Sequence, residues 1–250
     1  MGLKTILNYS PNFYSTKRNI KQIKFIIFHY TGMKKESAAI KRLTSIQSEV
    51  SSHYFIKYNG EIINLVPDLY TAWHAGSSYW KNFKSLNKNS IGIEISNPGH
   101  NFKYKKFTKM QINSLLKLSK FLIKKYKINL ENILGHSDIA PNRKKDPGEK
   151  FPWKYLAKNK IGIWHKLSNN ALKKNRILNI DDVSKKLFYK NLFQIGYSRN
   201  LPKNTDKNKY LNFLVKAFQR RFRQELVNGK IDKECLLISE NLLNKSDKFS

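Results

Sequence analysis

Lys24-Phe25-Ile26-Ile27-Phe28-His29 is apolar through four residues and then ends in a histidine. A run this short, built from aromatic and β-branched side chains, reads as a strand buried on both faces. Two further segments follow the same pattern. Ser90-Ile91-Gly92-Ile93-Glu94-Ile95 is a strand with a glutamate set between isoleucines, and Asn132-Ile133-Leu134-Gly135-His136 is a short strand that again ends in histidine. His53-Tyr54-Phe55-Ile56 and Ile62-Ile63-Asn64-Leu65-Val66 are strands separated by Asn59-Gly60, a hairpin-turn signal. Helical patterns lie between them. Ala39, Ile40, Leu43 and Ile46 recur at helical spacing over 38–46, and Ile112, Leu115, Leu116, Leu118, Phe121 and Leu122 give a broad apolar face over 108–125. This alternation predicts an α/β fold, a mixed central β-sheet flanked by helices, over residues 1–165.

After Trp164 the texture changes. Residues 165–179 are rich in Lys and Asn with scattered leucines, so 166–180 reads as a linker. Helical segments follow at 183–193, 210–222 and 232–243, with Gly196 and Gly229 at helix-terminating positions. The expectation is a small all-α C-terminal domain over 181–250, within the size range that folds independently.

The chain has 250 residues, with 48 Lys+Arg against 17 Asp+Glu and a formal net charge of +31. Hydrophobic residues at 40% and aromatics at 13% supply a core, which excludes a disordered basic tail. A surface this positive attracts nucleic acid, anionic lipid or an acidic wall polymer without choosing among them, and a plain bias of composition fits equally. Neither zinc-finger spacing nor an aromatic RNA-binding signature accompanies the charge, so no nucleic-acid partner is expected. The apolar run at 25–28 is far short of the roughly 20 residues that span a bilayer, and no transmembrane segment is expected. Met1-Gly2-Leu3-Lys4-Thr5-Ile6-Leu7-Asn8 lacks a continuous apolar core, and no cleavable signal peptide is read there. Cys235 is the single cysteine and reads as a small buried helical residue, so a metal site must be built from His, Asp and Glu.

Strand ends converge at one edge of a sheet. His29 and His136, with Asp146 ten residues beyond the second, therefore have the means to meet around one ion. Three N/O ligands with an open fourth position describe a catalytic zinc site. The same residues also fit two hydrogen-bonded histidines and a turn aspartate, and spacing alone does not choose. Glu94 either faces solvent or is buried with a raised pKa that suits a general base. Lys144, on the loop of Asp146, is placed to aim a positive charge at such a site, although a solvated role is the default for any one lysine here. His53 and His74 read as hydrogen-bonded framework residues. Trp73, Ala75 and Gly76 line a cleft or, for Trp73, fill the core. Asp138 and Arg143 have the charges to brace the ligand loop as a pair, and Phe151-Pro152-Trp153 packs that loop onto the body.

Taken together, these segments resemble a known family. His29-Tyr30-Thr31, Val50-Ser51-Ser52-His53-Tyr54, Trp73-His74-Ala75-Gly76 and Ser90-Ile91-Gly92-Ile93-Glu94 occur in the family's order. His136-Ser137-Asp138-Ile139-Ala140-Pro141, Arg143-Lys144-Lys145-Asp146-Pro147-Gly148 and Phe151-Pro152-Trp153 follow. The sequence is similar to the zinc-dependent N-acetylmuramoyl-L-alanine amidases of type 2, in their AmiD-like branch, over about residues 20–164. Ala217-Phe218-Gln219-Arg220-Arg221-Phe222-Arg223 and Asn228-Gly229-Lys230-Ile231-Asp232 resemble the helical peptidoglycan-binding domain found in that branch. The resemblance implies one Zn2+ held by His29, His136 and Asp146, with Asp where some relatives have Cys. It implies that Glu94 orients or deprotonates the attacking water and that Lys144 stabilises the oxyanion. It implies Trp73, His74, Ala75 and Gly76 as substrate-binding residues, and peptidoglycan or a muropeptide as the substrate. The bond cut is then the amide between the lactyl group of N-acetylmuramic acid, in ordinary or anhydro form, and L-alanine. A wall-binding module favours the periplasm or envelope, whereas the absent signal favours the cytoplasm. A zinc-holding receptor with slow turnover is the alternative, and the presence of both Glu94 and Lys144 speaks against it.

Overall fold

One strand, Phe25–Tyr30, alternates its side chains between two cores and organises the fold. In this computed structural model, which describes residues 4–201 and 203–246, the chain begins with β1 (Ile6–Leu7), β2 (Phe13–Tyr14) and β3 (Phe25–Tyr30). Helix α1 (Glu36–Thr44) leads to β4 (Tyr54–Ile56), β5 (Ile62–Asn64), β6 (Thr71–Ala72), β7 (Tyr79–Trp80), β8 (Phe83–Lys84) and β9 (Ser90–Ile95). Then come α2 (Lys109–Tyr126), β10 (Ile133–Gly135), α3 (His136–Ile139), α4 (Trp153–Lys158) and α5 (Asn169–Asn175). The chain closes with α6 (Asp182–Ile195), α7 (Lys207–Phe222) and α8 (Lys233–Ser246). Met1, Gly2 and Leu3 of the N-terminal stretch and the last four residues of the expected C-terminal domain lie outside the described residues.

Six strands form one mixed sheet in the order β1-β5-β4-β9-β3-β10, in which only the β4–β5 hairpin is antiparallel. Along β3, Ile26 and Phe28 enter one cluster with Leu115, Leu118 and Leu122 of α2. Phe25 and Ile27 point the other way, into a cluster with Phe188, Leu214 and Phe218 of the C-terminal helices. A strand sandwiched in this way has no solvent face, which is why its sequence is apolar without alternation. Helix α2 is closed at its start by a capping box, with Gln111 N–H donating to Thr108 Oγ1 at 3.1 Å and Thr108 N–H donating to Gln111 Oε1 at 2.9 Å. Such a cap contributes about 1 kcal/mol.

The C-terminal helices sit where the sequence places them, but they share a hydrophobic cluster with the sheet through Phe25, Ile27 and Leu134. The expected linker also differs. Residues 166–180 contain α5, Leu172 is buried, and Arg176 makes a two-pronged contact with Glu234 of α8 at 2.7 and 2.8 Å. The Lys and Asn residues that suggested a solvated tether form the outer face of a packed segment.

Candidate metal centre and active site

Strand register delivers the first residues. His29 and Glu94 are direct partners in the parallel β3–β9 pair, so both side chains leave the same face of the sheet. On the other side of β3, Gly135 pairs with Phe28, and the chain turns into α3 at the next residue, His136. That turn has no space for a larger residue, since a Cβ on Gly135 would lie 2.6 Å from Pro147 Cδ. The third residue is tied to the second through the main chain, with Ser137 N–H donating to the carbonyl of Asp146 at 2.8 Å.

Three donor atoms converge. His29 Nδ1 stands 2.8 Å from His136 Nδ1 and 3.2 Å from Asp146 Oδ2, and the last two atoms are 3.0 Å apart. The hydrogen-bond network assigns the proton of each ring to its other nitrogen. His136 Nε2 lies 3.2 Å from the carbonyl oxygen of Ala75, which only accepts, and farther, at 3.5 Å, from the Arg143 guanidinium, so the nearer contact places the hydrogen on Nε2. For His29 the assignment runs through a chain. Ser90 Oγ donates to the Leu86 carbonyl at 2.6 Å and accepts from His74 Nε2 at 3.1 Å. His74 Nδ1 is thereby an acceptor, and it receives the Nε2 hydrogen of His29 at 3.0 Å. The ring of His74 is pressed onto β9, where a Cβ on Gly92 would come within 2.4 Å of it.

Three lone pairs therefore face one another at contact distance, an arrangement that is repulsive unless a cation lies among them. Burial and the neighbouring His136 push His29 down to about 4, so protonation does not supply that cation at neutral pH. Burial also lowers His136, against the opposing pull of Asp146. Two neutral imidazoles and one carboxylate are the donor set of a zinc site with a position left open. The residues fit the ion.

Above these atoms opens a cavity of about 560 Å³. Glu94 and Lys144 both line it, together with Trp73 and His74. Burial, then the charge of Asp146, pushes the Glu94 carboxyl up to about 8, with Lys144 drawing it back. Its Oε2 is buried and has no hydrogen-bond partner among the described residues. Ala75 is fully buried and serves the site through its carbonyl, whereas Gly76 packs against the Arg143 guanidinium. His53 is a framework residue whose Nδ1 accepts Gly92 N–H at 3.0 Å.

The expected Asp138–Arg143 pair does not form. Arg143 turns to the carbonyls of Ala75 and Ser77, and Asp138 pairs instead with Arg221 of α7 at 2.8 Å. Asp138 caps its own helix through Gly135 N–H, which aims the carboxylate inward and away from Arg143. Phe151 and Trp153 do pack the loop onto the sheet, against Phe28. The stretch that carries the wall-binding resemblance is occupied internally: the Gln219 side chain bonds Asn228, Gly229 and Lys230, and Arg223 pairs with Asp232. Sequence reasoning missed Tyr30, Arg42, His100 and Asn101 as cavity residues, and Ser90 as the end of the His74 chain. No local motif signals Arg42, His100 or Asn101, whereas Tyr30 follows His29 within the His29-Tyr30-Thr31 motif and Ser90 opens the strand carrying Glu94.

Comparison with known proteins points one way. A family described as N-acetylmuramoyl-L-alanine amidase matches residues 19–149. N-acetylmuramoyl-L-alanine amidase AmiD of Escherichia coli strain K12 is 38% identical over 239 residues, which cover 90% of this chain and 83% of the relative. A structure of E. coli AmiD in complex with anhydro-N-acetylmuramic acid-L-Ala-D-gamma-Glu-L-Lys superposes with a TM-score of 0.77 at 35% identity, covering 90% of each chain. The crystal structure of AmpDH3 from Pseudomonas aeruginosa gives 0.78 at 32% identity, over 95% of this chain and 97% of that one.

Proposed function

The chain belongs to the N-acetylmuramoyl-L-alanine amidase family, and we propose that His29, His136 and Asp146 hold the zinc ion with which it hydrolyses the lactyl–L-alanine amide of muropeptides. It is an amidase of peptidoglycan turnover and recycling. The convergence of three lone pairs, with each ring proton committed elsewhere, carries the metal assignment. When bound, zinc supplies a Lewis acid for the scissile carbonyl and lowers the pKa of water from 15.7 to about 7.

The protein's own groups do the rest. His74 and the Ala75 carbonyl fix the two imidazoles, whose Nδ1 atoms would then hold the ion with Asp146. Glu94, with an unpaired Oε2 at the cavity wall, accepts the proton of the attacking water and returns it to the leaving nitrogen of L-alanine. Its raised pKa, which Lys144 draws back, suits a group that both takes and returns a proton. Lys144 places an ammonium beside the carbonyl oxygen as negative charge develops there. Trp73 and His74 are the substrate-binding candidates with access to the cavity; Ala75 and Gly76 act from behind it.

The peptidoglycan-binding reading of the C-terminal helices rests on the resemblance of 217–223 and 228–232, and an envelope location rests on the same ground. Cell fractionation and retention on purified sacculi test these two readings. For the reaction, mass spectrometry of a digested anhydromuropeptide is decisive: the assignment requires intact disaccharide and free L-alanyl peptide as the products.

A further inference from the structure

The segment that carries two of the three metal-binding residues is gripped from outside by α7. Asp138 lies two residues beyond His136, and both of its carboxylate oxygens are used. Oδ2 accepts Gly135 N–H and Arg221 Nη1, each at 2.8 Å, and Oδ1 accepts the Tyr197 hydroxyl at 2.8 Å. Arg221 reaches further. Its Nη2 donates to the carbonyl of Ile133 at 2.9 Å, and its guanidinium lies 4.6 Å over the ring of Trp153. Just beyond α7, Gln224 Nε2 donates to the Phe151 carbonyl at 2.6 Å.

One arginine thus reads the backbone before His136 and the carboxylate after it. A planar, forked cation does this with two nitrogens held at fixed separation; an ammonium on a flexible stem does not. The pair is almost wholly enclosed, at 2% and 1% side-chain exposure. A buried ion pair is weak evidence for stability, since apolar residues fill such a space as well, but it holds its groups in register. The register held here is that of the turn from β10 into α3. That turn is pressed against Pro147, the neighbour of Asp146, with no room for a Cβ between them. A shift at Asp138 therefore moves both His136 and the Asp146 loop.

We infer that the C-terminal helices are a working part of the metal centre: Arg221 and Tyr197, through Asp138, are positioning residues for His136 and Asp146. This role is separate from any grip on the wall, and it rests on the zinc reading above. In metalloproteins, loss of a group that supports a ligand typically weakens metal affinity about 10- to 100-fold.

The test uses the full chain and three variants: Arg221→Lys, Tyr197→Phe and, as a control, Leu242→Ala, which opens the same helical core at a residue remote in sequence from the ligand segment. Zinc affinity is measured by competition with a chromogenic chelator, and coordination geometry by the visible bands of the cobalt-substituted protein. Both are read at a temperature where circular dichroism shows each protein folded. Because Arg221 acts through Asp138 and not on a ligand directly, the expected result is an affinity weaker by about 10-fold, the low end of the range for groups bonded to a ligand, with altered cobalt bands in Arg221→Lys and a smaller change of the same kind in Tyr197→Phe. Leu242→Ala lowers the melting temperature and leaves both readouts unchanged. Should Arg221→Lys fail to fold, Tyr197→Phe carries the test. Wild-type affinity and spectrum in the folded variants overturn the inference, as does an equal loss in Leu242→Ala. Failure of the wild-type chain to take up zinc overturns the metal reading itself.

Discussion

His136 Nε2 stands 3.2 Å from the carbonyl oxygen of Ala75, and this contact decides which nitrogen of the ring is free for a metal. The carbonyl only accepts, so the imidazole hydrogen is fixed on Nε2 and Nδ1 presents a lone pair to His29 and Asp146. The arrangement places Ala75, and with it the Trp73-His74-Ala75-Gly76 segment, in the support of the proposed metal centre.

The partner chain on His29 gives the first prediction. Replacing His74 with Ala removes the acceptor of the His29 Nε2 hydrogen and frees that ring to turn. Zinc affinity should fall about 10- to 100-fold, with activity partly restored at high zinc. His74→Asn, which keeps an acceptor on a short side chain, should recover part of the affinity. Chelator competition on the two variants measures both effects.

Glu94 and Lys144 are expected to act on the reaction and not on metal retention. Glu94→Gln keeps shape and loses the base, so kcat should fall about 10²- to 10⁴-fold with zinc content unchanged. Lys144→Met removes the charge offered to the oxyanion and should cost about 10²- to 10³-fold in kcat. Steady-state kinetics with metal analysis on the same samples separates these outcomes from loss of the ion.

Acid stability should depend on Asp68. This carboxylate is buried, which by itself raises its pKa. Hydrogen bonds from Tyr126, Tyr54 and Lys125 outweigh burial and lower it below the usual value. A depressed folded pKa gives stability that is present above the unfolded value of about 3.9 and is lost as pH falls through the folded one. Asp68→Asn should therefore cost about 1.5–3 kcal/mol at pH 7, the worth of a hydrogen bond to a charged group. Urea denaturation should show the gap between the two proteins narrowing below pH 4 (roughly the unfolded carboxylate value).

Much of this was legible in the sequence because the informative strands are buried on both faces. The apolar run before His29 carries its meaning without alternation, since Phe25 and Ile27 fill one core while Ile26 and Phe28 fill the other. His29 and His136 were legible as residues at strand ends on one sheet edge and Asp146 as a loop neighbour of the second, but spacing alone did not choose between a metal site and a hydrogen-bonded cluster. Other features had no local signal. Residues 166–180 looked like a tether because their Lys and Asn face outward, while the contact that orders them, Arg176 with Glu234, spans 58 positions. Arg221 stood in the stretch read for its resemblance to a wall-binding domain, and nothing near it in the sequence marks a partner in the sheet. Its partner Asp138 lies 83 positions away and was expected to pair with nearby Arg143. Long-range pairing of charges follows from tertiary packing, which leaves no period in the sequence.

The central claim is that amide cleavage depends on a zinc ion held by His29, His136 and Asp146. The most direct measurement is release of free L-alanyl peptide from a purified anhydromuropeptide by the native chain, by the chain stripped with chelator, and by the stripped chain after zinc is restored. The account predicts cleavage, loss and recovery, with no recovery in His136→Ala. Undiminished cleavage by protein shown to be free of metal would contradict it.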